Sequence, residues 1–257
     1  LKKQQGIPTV PKERRIRPIH IWQSAAAILF LLLASSVYLS TVGTKAETDL
    51  LQQYIPIAEM RSLTLPDGTK VQLNSKSTLL YPQEFTGDSR SVFLLGEANF
   101  KVKPDKKRPF IVKSNDLQIT ALGTEFNVSA YPESQEIATT LISGSIRVDY
   151  NNLTTSVILH PNEQFAYNRN NKKYDLSNPD MDDVTAWQRG ELVLQKMTLT
   201  DIINVLERKY PYAFVYSIKN LKNDRFSFRF KDNAPLEEVM EIIVNVVGQM
   251  DYRIVED

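Results

Sequence analysis

The chain is 257 residues long and nearly balanced in charge, with 31 Lys and Arg against 30 Asp and Glu, and 42% of its residues are hydrophobic. That suits one large or two ordinary folded domains rather than a disordered or collagen-like polymer. The lack of cysteine excludes disulfides, thiolate catalysis and cysteine-ligated zinc or iron–sulfur centres, and a formal charge of +1 gives no global basic field to gather nucleic acid.

Residues 1–20 carry Lys2, Lys3, Lys12, Arg14, Arg15 and Arg17 against one acid, Glu13, and are punctuated by Pro8, Pro11 and Pro18. They read as a basic cytoplasmic tail too short to bury a core. Because the chain opens on Leu1 rather than Met, further residues are expected upstream. Residues 21–42, IWQSAAAILFLLLASSVYLSTV, contain no charge, Gly or Pro. At about 1.5 Å per residue a helix here would run roughly 33 Å, enough for a bilayer core of about 30 Å. Trp22 and Tyr38 lie near its ends, at the depth amphipathic rings favour. Lys45, Glu47 and Asp49 follow, so the excess of positive charge precedes the apolar run. The expectation is a single-pass membrane protein with a cytoplasmic N-terminus and everything after residue 42 outside the cytoplasm. A cleaved signal peptide fits worse, since its apolar region usually runs about 7–15 residues and ends at an A-x-A-like site.

Residues 60–167 read as strands throughout. Alternation is clean at 69–73 and 124–128, and β-rich runs recur at 92–95, 110–112, 117–121, 138–141, 145–148, 157–159 and 164–167. Pro66-Asp67-Gly68, Thr86-Gly87-Asp88, Ser114-Asn115-Asp116, Ser143-Gly144 and Asn151-Asn152 mark turns between them. Short strands at intervals of about 8–12 residues predict an all-β domain, with sandwich, roll and barrel-like forms all open. Residues 168–186, polar and poor in apolar anchors, read as an interdomain linker.

From Trp187 the period changes. A strand at 191–197 precedes Leu199, Ile202, Ile203 and Leu206, which share one helix face, and Thr198 with Asp201 offers an N-terminal cap. Pro211 ends that helix before a strand at 213–217. The pattern then recurs. Phe226, Phe228 and Phe230 alternate in a strand at 225–231, and Leu236, Val239, Met240 and Ile243 follow Pro235. Gly248 sits where a C-cap belongs, and a last strand covers 252–255. Residues 187–257 are therefore expected to form a βαβ–βαβ duplication, a small α+β domain whose phenylalanines serve the core rather than a stacking platform for bases.

No catalytic, metal or cofactor site emerges. His20 and His160 stand apart, and Ser143-Gly144-Ser145 is not a nucleophile elbow. No glycine-rich phosphate loop occurs. Asp182-Asp183 lies in the linker segment, and Glu237-Glu238 suits a helix first turn through the dipole.

The stretch Leu65-Pro66-Asp67-Gly68-Thr69-Lys70-Val71-Gln72-Leu73-Asn74 resembles the opening of the FecR family domain, found in membrane-bound anti-sigma regulators. Further matches come in the same order: Gly96-Glu97, Arg108-Pro109-Phe110, Leu122-Gly123-Thr124-Glu125-Phe126-Asn127, Thr139-Thr140-Leu141, Gly144-Ser145-Ile146 and His160-Pro161-Asn162-Glu163-Gln164. Asn162 departs from the usual P-G-E-Q turn, but Asn tolerates the left-handed conformation. From Trp187 onward the chain is similar to the short domain of secretins and signalling TonB-dependent transporters.

The resemblance implies a periplasmic all-β FecR domain, with Asp67, Gly68, Leu73, Asn74, Gly96, Glu97, Phe110, Gly123, Thr124, Phe126, Gly144, Pro161, Glu163, Gln164 and Trp187 as structural positions. It implies an inner-membrane regulator without a cofactor. That regulator would receive a signal from the signalling domain of a TonB-dependent transporter and pass it to an extracytoplasmic-function sigma factor, held by a segment outside this chain. Site-specific proteases would act along the way, and nucleic acid is not an expected partner. Partner contact is expected on an exposed strand edge, first at 225–231 through the outward residues Arg225, Ser227, Arg229 and Lys231. Competing expectations are a periplasmic assembly protein with a secretin-like domain and a carbohydrate-binding or hydrolytic β protein.

Overall fold

The structure is a computed structural model that describes residues 18–42, 49–218, 224–231, 234–248 and 250–256. The chain divides into two units, Leu1–Glu47 and Thr48–Asp257. The first contains helix α1, Pro18–Val42, whose described side chains (Trp22, Gln23 and residues 26–38) are all exposed. Among the described residues no helix is long and apolar enough to cross a membrane.

The second unit opens with thirteen strands: β1 Leu50–Tyr54, β2 Arg61–Thr64, β3 Lys70–Leu73, β4 Thr78–Pro82, β5 Arg90–Lys101, β6 Phe110–Ser114, β7 Leu117–Ala121, β8 Glu125–Ala130, β9 Glu136–Ser143, β10 Ile146–Tyr150, β11 Thr155–Leu159, β12 Gln164–Asn168 and β13 Tyr174–Ser177. They form two sheets that share β5. Its first half, from Arg90, pairs with β4 and, in parallel, with β6, in a sheet ordered β1-β4-β5-β6-β7-β10-β11. Its second half, from Gly96, pairs with β3 and β8, in a sheet ordered β2-β3-β5-β8-β9-β12-β13. Alternate residues of both sheets meet in one core, which includes Leu73, Val92, Leu94, Phe100, Phe110, Ile119, Phe126, Val128, Leu141, Val148 and Phe165. The β domain is thus two sheets over one core, sandwich-like and joined by a shared strand.

Gly96 is where β5 passes between sheets. Its φ is +104°, and a Cβ there would lie 2.4 Å from Ser77 Oγ and 2.7 Å from Ser77 Cα. Both the backbone and the space exclude a side chain, because the near atoms include main chain. Gly96→Ala is expected to cost about 2–4 kcal/mol in urea unfolding, from positive-φ strain plus overpacking. A cost below about 1 kcal/mol would mean that β5 does not bend there. Asn162 adopts φ +69°, as its substitution for glycine requires, and its N–H donates to Leu141 O at 2.8 Å.

Two boundaries differ from the sequence reading. The domain begins before residue 60, because β1 pairs with β4 and Ile55 is fully buried. Residues 168–186 are not a free linker. β13 extends the second sheet, α2 (Met181–Thr185) is capped by the Asp180 side chain, and a 3-10 turn, Ala186–Arg189, ends at left-handed Gly190. Every residue of β13 is exposed, so no apolar alternation announces it.

The C-terminal elements follow the expected order: β14 Leu192–Thr198, α3 Leu199–Lys209, β15 Tyr212–Ile218, β16 Arg225–Phe230, α4 Leu236–Val247 and β17 Met250–Glu256. Thr198 Oγ1 accepts the Asp201 N–H at 3.2 Å, and Gly248 caps α4 with φ +76°. The strands form two antiparallel ladders, β14–β16 and β15–β17, so equivalent strands of the two repeats pair with each other. Leu199, Ile202, Ile203 and Leu206 of α3 join Val239, Met240 and Ile243 of α4 and the phenylalanines of β16 in a second core.

Candidate functional site: the cleft between the β sandwich and the C-terminal domain

Alternation along β5 sends Ala98 and Phe100 inward, so Glu97 projects from the outer face of the second sheet. Its carboxylate accepts Nδ2 of Asn74 at 2.8 Å and Nδ2 of Asn127 at 2.9 Å. Asn127 Oδ1 in turn accepts the Trp187 indole N–H at 3.3 Å. Positions 74, 97, 127 and 187, each in a different stretch of the motif pattern, thereby form one hydrogen-bonded chain from the β5 backbone to the C-terminal domain. Its inner end is fixed by Ser77, whose hydroxyl accepts the Glu97 N–H at 2.8 Å.

A second contact lies at the end of α3. The Arg208 guanidinium stacks 3.8 Å above the Tyr131 ring and donates to Glu133 Oε1 at 2.6 Å, while Arg208 O accepts the Ala58 N–H at 3.0 Å. Arg208 is 8% exposed, so this cation is satisfied by the β domain rather than by water. Between the contacts lies a cavity of about 750 Å³, lined by Asn74, Glu97, Asn127, Gln164, Trp187 and Arg208 among others. Its walls mix amides, carboxylates and hydroxyls with apolar side chains such as Met60, Leu192, Val193 and Met197. Among the described residues no group of His, Asp or Glu is placed to hold a metal ion.

Burial pushes the Glu97 carboxyl above the ordinary carboxylate range, opposed by the Asn127 and Asn74 amides and the Arg208 charge. A carboxyl that titrates higher in the folded chain favours folding while protonated. The penalty is absent below its unfolded value and appears as pH rises through the folded one. Thermal unfolding from acid to neutral pH should therefore show a stability loss that Glu97→Gln reduces. Parallel wild-type and variant profiles would contradict this assignment.

The remaining motif positions make contacts within the β domain. Asp67 turns the Pro66-Asp67-Gly68 loop and pairs with buried Arg90 at 2.7 Å, a partner that no local pattern announces. Leu73, Phe110 and Phe126 are fully buried, with the Phe100 and Phe126 rings stacked at 5.4 Å. A Cβ on Gly123 would meet Pro104, and one on Gly144 would meet the Thr124 methyl. Glu163 caps the turn after Pro161 by accepting the His160 N–H at 2.8 Å, and Gln164 Nε2 donates to Thr140 Oγ1 at 2.7 Å.

Arg225, Ser227, Arg229 and Lys231 are exposed, as alternation with the phenylalanines predicts. Three of them hold their own chain. Arg225 Nη1 donates to Lys196 O at 2.8 Å, and Ser227 Oγ accepts the Lys196 N–H at 2.9 Å. Arg229 binds Asp183 and, at 3.0 Å, Glu191, tying β16 to α2. Arg189 completes this cluster through Asp182 at 2.8 Å and Glu191 at 3.0 Å. Among the described residues β16 pairs with β14 alone, leaving its other edge without a strand.

Comparison with known proteins gives this architecture a family. The model of the FecR protein family matches residues 55–147, and that of the FecR C-terminal family matches residues 191–257. A crystal structure of a candidate anti-sigma factor from Parabacteroides distasonis is 33% identical, with a TM-score of 0.71 over 81% of this chain and 98% of that one. A second candidate anti-sigma factor from the same organism is 31% identical, with a TM-score of 0.70 over 80% and 99%. No curated protein matches. Two family domains in sequence, and likeness to those structures over nearly their whole length, establish that this chain belongs to the FecR family.

Proposed function

We propose that this FecR-family chain is an anti-sigma regulator that carries a signal inward across the inner membrane by protein contact. The observation that carries the reading is the interlocked junction. A force on the C-terminal domain reaches the β sandwich through Trp187–Asn127–Glu97 and Arg208–Tyr131, with polar and cationic contacts rather than a loose tether between them. The incoming partner is the signalling domain of a TonB-dependent transporter, which adds to the free edge of β16, and the output is release of an extracytoplasmic-function sigma factor after site-specific proteolysis. The uncharged run at 21–42, behind six basic residues, supports one membrane crossing with the bulk of the chain periplasmic.

The edge contact is tested by titrating the transporter signalling domain onto the purified chain. Lys231→Glu is the informative variant, because Arg229→Glu would also break the ion cluster that holds α2. Lys231→Glu is expected to weaken binding several-fold with thermal stability unchanged. Undiminished binding moves the contact away from β16, and absence of binding by wild type removes the transporter from the reading. Protease added to spheroplasts should digest everything beyond residue 48.

A further inference from the structure

At one end of the β sandwich, where β5 leaves the first sheet, a cavity of about 680 Å³ opens between β4, β5 and the β6–β7 and β10–β11 turns. Leu80, Phe93, Leu95 and Leu153 give it apolar walls. Three of these are well exposed, Phe93 at 41%, Leu95 at 39% and Leu153 at 57%. Leu80 lies directly across from Phe93 in the ladder, so these are neighbours on one outer face.

Leu153 reaches the cavity at a cost. Asn151, Asn152 and Leu153 have φ of +50°, +54° and +63°, three consecutive residues in the left-handed region. Asparagine tolerates that conformation; leucine does not. These residues form the β10–β11 turn, which leaves the Leu153 side chain exposed at the cavity.

Two cations stand at the rim. Lys113 Nζ lies 5.4 Å from the Phe93 ring centre and Lys172 Nζ 5.9 Å from that of Tyr167. The nearby acid is Asp116, already shared between Arg169 at 3.3 Å and Lys172 at 3.8 Å, so positive charge is in excess.

We propose that this cavity binds a single-chain anionic amphiphile, with its hydrocarbon on Leu80, Phe93, Leu95 and Leu153 and its head at Lys113 and Lys172. An extended peptide is disfavoured by the floor. Thr78 pairs with Leu95, Leu80 with Phe93 and Phe93 with Lys113, so ladder bonds use its main chain. Hydrocarbon asks for no backbone partner. The volume falls in the range of small-molecule sites.

The second unit has cores of its own, and the crystallised relatives match it over 98% and 99% of their length, so a fragment of residues 48–257 is a fair test object. Calorimetric titration below micelle formation with decanoate, decanol and decyltrimethylammonium reads out the head-group preference. Decanoate is expected to saturate one site at least tenfold more tightly than either other probe. Lys113→Glu with Lys172→Glu should lower its affinity at least tenfold at unchanged Tm. Leu153→Asn should raise Tm by relieving strain and yet weaken decanoate several-fold. Equal binding of the three probes, undiminished binding by the double variant, or undiminished binding by Leu153→Asn each overturns the site.

Discussion

Replacing Asp67 by Ala is expected to cost the β domain about 3–5 kcal/mol, because it leaves the buried Arg90 charge without its counter-ion. The Arg90 and Asp67 side chains are 1% and 5% exposed, and the guanidinium has nowhere to turn. Its Nε donates to Arg108 O and Nη1 to Lys103 O, both at 2.9 Å, and its Cζ lies over the Phe110 ring, 5.6 Å from the centroid. Those carbonyls hold the cation without neutralising it. The reverse deletion should be milder. In Arg90→Met the Asp67 carboxylate keeps the Thr69 N–H at 2.9 Å and the Thr69 hydroxyl at 2.7 Å. The double variant Asp67→Ala with Arg90→Met should therefore recover much of the loss, since two neutral side chains carry no buried charge. Urea unfolding of the three variants gives the cycle. A cost below about 1 kcal/mol for Asp67→Ala would mean that water reaches the pair, as at a surface bridge.

What could be read from residues alone follows from where the signal is local. Strands with one buried face alternate with period two, so β7 was legible end to end, and the helical spacing at 199–206 and 236–243 located α3 and α4. β13 gave no such sign because it is exposed along its length, and the ladder that orders it comes from β12. The double membership of β5 was hidden for another reason: a glycine in a strand signals a bulge or close approach, and cannot say which two sheets meet there. The junction was least accessible. Asn127 and Trp187 stand 60 positions apart, and Arg208 and Glu133 stand 75 apart, so each looked like an ordinary strand, turn or helix residue. Family resemblance marked Asn74, Glu97 and Trp187 as structural positions, and the hydrogen bonds through Asn127 join them. Likewise, the outward residues of β16 were correctly placed, but their engagement by Lys196, Asp183 and Glu191 depends on tertiary packing.

Replacing Trp187 by Ala is expected to uncouple the two domains of the second unit. The indole is rooted in the 3-10 turn Ala186–Arg189, which Gly190 closes with φ +79°, and its N–H meets Asn127 Oδ1. Truncation removes a large ring from the junction and leaves an acceptor of the Glu97 chain unfilled, a loss of about 2–4 kcal/mol in domain docking. Neither hydrophobic core includes Trp187, so each domain should still fold. The signature is in the shape of the calorimetric trace: one cooperative transition for wild type and two for the variant. Trp187→Phe, which keeps a ring but not the donor, should fall between them at about 1 kcal/mol. If the junction transmits the signal, Trp187→Ala should bind the transporter signalling domain as wild type does while inducer-dependent transcription falls. A variant that melts in one transition and signals normally would move the coupling to Arg208, where the guanidinium and the Tyr131 ring form the other connection.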